Sequence, residues 1–205
     1  MIWTQTRNGR AFDLVYPDPA QVDFTEIAWT LAHLPRYAAN FEKPITVGQH
    51  TLIVMAASAP DDHAHALLHD AHEAYMGDIT TPCAQALAYI AADLVGEPPH
   101  KAQAANLVAS SIAGLKSLLE GAIYAAAGLR RPTPETRARI HKADLIALQT
   151  ERRDFLARSP RPWAPEIEAE KPLRTVYRLR PAADVAEELV KHFKTYIPAL
   201  RKRAA

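Results

Sequence analysis

Apolar positions recur along most of this chain at three- and four-residue spacing, the mark of helices that bury one face. FTEIAWTLAHL, ahead of Pro35, reads as a first helix capped by Asp23 or Thr25. ITVGQHTLIVMAASA reads as a second, from about Thr46 to Ser58, with Pro60 as its stop. A third starts at Asp61 or Asp62, carries HAHALLHDAHEAYMGD and ends at Gly77. Thr80, Thr81 and Pro82 form a turn and a restart. Ala-rich periodicity predicts a long helix over about 98–127, stopped by Gly128. Thr133, with Pro134 at the first helical position, caps a helix through ETRARIHKADLIALQTERRDFLA. After the irregular stretch SPRPWAP, a last helix spans about 182–200.

The first twenty residues break this pattern. Threonines alternate, Asn8-Gly9 is a strong hairpin signal, and a short apolar run ends in prolines. The expected fold is all-α with a short N-terminal β-hairpin or extended arm. It forms a single domain, with 1–20 as the arm and 21–205 as the helical body.

Composition narrows the possibilities. With 205 residues, 48% of them hydrophobic, the chain suits one packed core better than two. A net charge of +1 gives no global field toward nucleic acid or membrane. The basic tail ALRKRAA reads as a solubility feature, so no stable nucleic-acid complex is expected. No apolar run nears the roughly 18 residues of a membrane span, and MIWTQTRNGR lacks a secretory pattern. Cys83 stands alone, which excludes a disulfide framework and a Cys-based zinc site and reads as a small buried apolar residue. The expected location is cytoplasmic.

Candidate chemistry concentrates in HAHALLHDAHEAYMGD, which holds four of the nine histidines and three carboxylates. At roughly 100° per residue, His65, His72 and Glu73 share a face with His69, and Asp70 lies at its edge. Exposed faces ordinarily favour Lys, Glu and Arg over His, so the cluster points to a site. HExxH is absent, because no second histidine follows His72-Glu73. The adjacent pair His69-Asp70 remains and needs ligands from elsewhere. His50, in VGQH beside an apolar run, and Asp144, in HKADLIAL, are candidates, since an unpaired carboxylate there would be costly. His63, His100, His141 and His192 read as ordinary. Glu151 and Arg152 read as a solvated helix face.

His50, the His69-Asp70 pair and Asp144 match the H…HD…D pattern of HD-domain metal-dependent phosphohydrolases. HDAHEAYMGDITTP resembles the HDxxE…GD…TP stretch of the bacterial 5′-deoxynucleotidase branch, and phage deoxynucleotide triphosphohydrolases carry something similar. The arm, the IAWTLA helix, Arg36 and VGQH are also similar. The resemblance covers about residues 3–85 and the surroundings of Asp144, and is poor over 86–132.

The resemblance implies an HD-domain helical bundle in which His50, His69, Asp70 and Asp144 bind one divalent ion. Glu73 would be the catalytic carboxylate for the proton of the attacking water. Asp78 would hold the sugar hydroxyl or help the leaving group. Arg36 would grip phosphate, Tyr37 would pack near the sugar, and His72 would face the substrate. Ala84 stands where some relatives have a lysine after Thr-Pro. Mixed His and carboxylate ligands suit Mn, Co, Fe, Ni or Zn better than Ca. The implied activity is hydrolysis of a nucleotide, a deoxynucleoside 5′-monophosphate or triphosphate. Alternatives are a cyclic or signalling nucleotide as substrate, and a non-catalytic nucleotide- or metal-binding module. A homo-oligomer, dimer or larger, is also implied, with 98–127 as a possible helix–helix interface.

Overall fold

The structure is a computed structural model that describes residues 1–41 and 44–201. The basic tail lies in part beyond the described residues. The chain is mostly α-helical with one two-stranded antiparallel sheet, as the pattern predicts. β1 (Trp3–Gln5) pairs with β2 (Ala11–Asp13), Trp3 opposite Asp13, around a turn in which Gly9 takes φ +78°. A buried carboxylate ties the hairpin to the body. Glu26 accepts from Thr6 Oγ1 (3.0 Å), the Asn8 amide (2.7 Å) and Arg10 Nη2 (2.5 Å).

Helix α1 (Phe24–His33) is capped by Asp23, which accepts from the Thr25 and Glu26 amides. Helix α2 (Val47–Ala57) is capped by Thr46. Residues 47 to 54 of α2 are all buried, so this helix has no solvent face along its first two turns and carries His50 into the centre of the molecule. Its close approach to α1 depends on Gly48, where a Cβ would meet the Ala32 backbone at 2.9 Å. Phe12 of β2 stacks on Tyr75 at 3.9 Å between ring centroids, seating the arm on the core.

The His-rich stretch is not the single helix expected. It forms α3 (His63–Leu68) and α4 (Glu73–Met76), separated by tight turns with hydrogen bonds from Ala71 N to Leu68 O (3.2 Å) and from Glu73 N to Asp70 O (3.0 Å). The His69 side chain is one reason: its Nδ1 takes the Ala66 carbonyl at 2.7 Å, in competition with the backbone ladder. Neither expected aspartate caps α3 through its side chain; Asp62 instead receives a two-pronged hydrogen bond from Arg139, at 2.7 and 2.8 Å. Gly77, at φ +80°, ends α4 as expected.

Thr80 caps α5 (Thr81–Val95), which packs along α6 (Pro98–Ala127). Cys83, in the first turn of α5, is exposed and not buried, because α5 packs chiefly along α6 and has no buried residue of its own. By length and composition α6 is apolar enough to cross a membrane from His100 to Ala127, and 22% of its most apolar stretch is buried. Helix α7 (Pro134–Asp154), capped by Thr133, lies against α2. After a short α8 (Pro165–Glu168), α9 (Ala182–Tyr196) packs on α1. The expected last helix breaks at Ile197, which is extended because Pro198 follows, and resumes as α10 (Pro198–Arg201).

Candidate metal centre

Two helices and the break between two others bring the candidate ligands together. His50 comes from the buried α2, His69 and Asp70 from the break between α3 and α4, and Asp144 from α7. His50 Nε2 lies 3.2 Å from Asp144 Oδ1, 3.6 Å from Asp70 Oδ2 and 3.3 Å from His69 Nε2. His69 Nε2 lies 3.1 Å from Asp70 Oδ2. One atom each from His50, His69 and Asp144 falls within 4.8 Å of the others. With metal–ligand bonds of about 2.1 Å, neighbouring ligand atoms sit about 3.0–3.4 Å apart in octahedral or tetrahedral geometry, so these separations fit a shared cation.

Both imidazoles are held with Nε2 free to ligate. His50 Nδ1 meets Glu151 Oε1 at 2.5 Å, and a carboxylate can only accept, so Nδ1 carries the proton. His69 Nδ1 donates to the Ala66 carbonyl by the same logic. Fixing the far nitrogen in this way is how metal-binding histidines are oriented. The two Nε2 atoms then face each other at 3.3 Å, an arrangement that is favourable only with a proton or a cation between them.

The electrostatics agree. Burial would push His69 down, but the Asp70 carboxylate more than offsets it and His69 is pushed up to about 9. Burial and Arg36 push His50 down, Glu151 and Asp144 push it up, and the balance is upward. Despite burial, His69 and His50 hold Asp70 well below the usual carboxylate range. Asp144, likewise buried, is lowered through its contact with His50. The cluster therefore attracts positive charge, which a divalent ion would supply.

Glu73 and His72 adjoin Asp70 in a second cluster. Burial pushes Glu73 up to about 9, with the Asp70 and Asp78 charges adding to it, and its Oε2 has no hydrogen-bond partner among the described residues. Burial pushes His72 down to about 4, and both its ring nitrogens are buried without partners among the described residues. Its nearest carboxylate is Glu120, at 4.0 Å. Asp78, half-buried just past Gly77, is raised chiefly by burial.

The residue the sequence reading missed is Glu151. Expected on a solvated face, it is fully buried and meets three site groups. Besides His50, it accepts from the Tyr37 hydroxyl at 2.6 Å and lies 3.3 Å from Arg36 Nε. The signal was present: Glu151 follows Asp144 by seven residues, two turns along the same face of α7. Arg36, 11% exposed, also lies 3.8 Å from Asp70 Oδ2, so its charge faces two carboxylates. Tyr37 packs against Phe41 and is tied by its hydroxyl to Glu151. Tyr37, Ala38 and Ala39 all take positive φ, between 53° and 58°. Left-handed backbone costs about 1–2 kcal/mol per non-glycine residue. The turn is held by the Tyr37–Glu151 bond and by pairing of Arg36 N with Ile45 O at 2.9 Å.

Comparison with known proteins adds little. No family model matches the chain. An uncharacterized protein of Rhodobacter capsulatus is 31% identical over 94 residues, 42% of this chain and 48% of that protein. The chain thus spans about half the length of the curated relative it matches.

Proposed function

We propose that the protein is a divalent-metal-dependent phosphohydrolase acting on a nucleotide, with a deoxynucleoside 5′-monophosphate or triphosphate as substrate. The observation that carries this reading is the approach of His50, His69 and Asp144, with one ligand atom of each within 4.8 Å of the others, with Asp70 Oδ2 3.1 Å from His69 Nε2 and both imidazoles turned to offer Nε2. It agrees with the resemblance of HDAHEAYMGDITTP to HD-domain phosphohydrolases.

A divalent ion held by these four residues would lower the pKa of water, neutralise charge gathering on the phosphoryl oxygens and relieve the repulsion that Glu73 feels from Asp70. The chain's own groups do the rest. With the Asp70 charge neutralised Glu73 would ionise, and as a carboxylate beside Asp70 it takes the proton of the water that attacks phosphorus. The bond to the sugar oxygen or to a bridging phosphate oxygen breaks, and the proton goes to that leaving oxygen. Asp78, near enough to act on Glu73, is positioned for the sugar hydroxyl or the leaving group. Buried and neutral, His72 lines the same side. Arg36 has its charge facing Glu151 and Asp70, at 3.3 and 3.8 Å, and makes no hydrogen bond through Nε among the described residues. Glu151 has no contact with substrate in this reading; it positions His50.

The expected self-association would use α5 and α6, where Leu87, Tyr89, Ile90, Leu94 and Leu107 are exposed.

The test is a panel of deoxynucleoside and ribonucleoside mono- and triphosphates, plus cyclic nucleotides, supplied with Mn or Co. Release of orthophosphate identifies a monophosphatase and release of triphosphate a triphosphohydrolase. Glu73→Gln should lower kcat by about 10²–10⁴-fold while metal content stays the same. Absence of turnover across the panel would sink the proposal.

A further inference from the structure

Beside the ligand cluster lies a cavity of about 140 Å³. It is lined by His69 and Asp144 of the ligand set together with His65, Glu120, Arg137 and His141. That is well short of the roughly 300 Å³ at which ligand pockets for whole small molecules start. One phosphoryl group fits; a base and a sugar would have to remain outside.

The charges around it suit an anion. Among the described residues, Arg137 has no carboxylate within ion-pairing distance, and neither has Lys116. Lys116 precedes Glu120 by one turn on the same face of α6 and lies near enough to act on His72, Glu73 and Glu120. Glu120 is the carboxylate here outside the ligand set, and Lys116, Arg131 and Arg137 all act on it, so cations outnumber it. Arg36 differs, since Glu151 and Asp70 already face its guanidinium.

We propose that this cavity is the phosphoryl subsite, where Arg137 holds the phosphate oxygens of a nucleotide against the His69–Asp144 side of the ligand cluster. The inference rests on the phosphohydrolase reading and puts Glu120, Tyr124 and Pro132, from the poorly matching segment 86–132, in the wall of the subsite. Arg36 then serves chiefly as the buried counter-ion of Glu151.

Orthophosphate titrated calorimetrically into the full chain, with and without manganese, tests this. Arg137→Gln should weaken binding on the order of tenfold to a hundredfold, the loss of one charge-assisted hydrogen bond. Arg137→Lys should lose less, and Lys191→Gln, an exposed cation on α9, should match the wild type. Circular dichroism checks that each variant is folded. Thymidine and thymidine 5′-monophosphate, titrated into Glu73→Gln protein with and without the Arg137 change, separate an ester-borne phosphate from a free one. Only the monophosphate should bind, and Arg137→Gln should weaken it. Unchanged affinity in Arg137→Gln, failure of the wild type to bind orthophosphate, or binding of free phosphate without the monophosphate would overturn the inference. Loss of the activity reading would look different: no nucleotide is turned over, yet phosphate binding still depends on Arg137.

Discussion

Replacing Glu151 by glutamine removes one charge from the middle of three contacts at nearly constant volume. The carboxylate is buried, and although burial favours its neutral form, Arg36 and His50 hold it below the usual range, so it is ionised at neutral pH. Its Oε1 fixes the proton of His50 on Nδ1 at 2.5 Å, and its Oε2 takes Tyr37 and faces Arg36. An amide of the same shape can still accept, but it can also turn its NH2 toward His50 Nδ1 and release the imidazole from its ligating tautomer. Losing such a supporting contact costs about 10–100-fold in metal affinity. Glu151→Ala goes further, because it leaves the Arg36 guanidinium with Asp70 alone, at 3.8 Å. Breaking a buried pair in this way costs about 3–5 kcal/mol. At roughly 2–4 °C per kcal/mol for a chain of this length, the melting temperature should fall by about 6–20 °C. Competition with a chelating dye measures the first effect and thermal denaturation the second. Glutamine protein that binds metal as tightly as the wild type would refute the assignment of Glu151 as the residue that orients His50.

Other predictions concern the frame around the site. Gly48→Ala should destabilise by about 1–3 kcal/mol, because the new methyl meets the Ala32 backbone at 2.9 Å and Val185 Cγ1 at 3.0 Å; urea midpoints should fall with the slope unchanged. Arg139 holds the Asp62 carboxyl below its usual range. A depressed folded-state pKa gives stability that is complete above the unfolded value of about 3.9 and fades as pH falls through the folded one. The stability gap between wild type and Asp62→Asn should therefore stay level from neutral pH to about pH 5 and close in stronger acid, as read from urea midpoints.

Much of this was legible in the sequence because local chemistry decided it. Asn8-Gly9 set the hairpin, Asp23 and Thr133 cap their helices as read, and the second helix starts at Thr46, whereas α5 after the Thr80 restart was not foreseen. His50 and Asp144 could be singled out because each is a polar residue in an apolar run, and the structure brings both to His69 and Asp70. What escaped the sequence depended on tertiary partners. Glu151 looked solvated beside Arg152, and its burial follows from the packing of α7 on α2, which places His50, Arg36 and Tyr37 against it. The break at residues 69–72 was hidden because every residue there tolerates a helix; a side-chain bond from His69 to Ala66 competes with the ladder. Cys83 was misread because nothing local reveals that α5 is covered chiefly by α6 and buries none of its residues.

Cobalt titration of chelator-treated protein, followed by visible absorption in wild type and His69→Ala, tests the metal centre most directly. The account predicts one ion per chain in the wild type and loss of that binding in the variant, with the helical circular dichroism retained. Failure of the wild type to bind cobalt, or equal binding by His69→Ala, would contradict it.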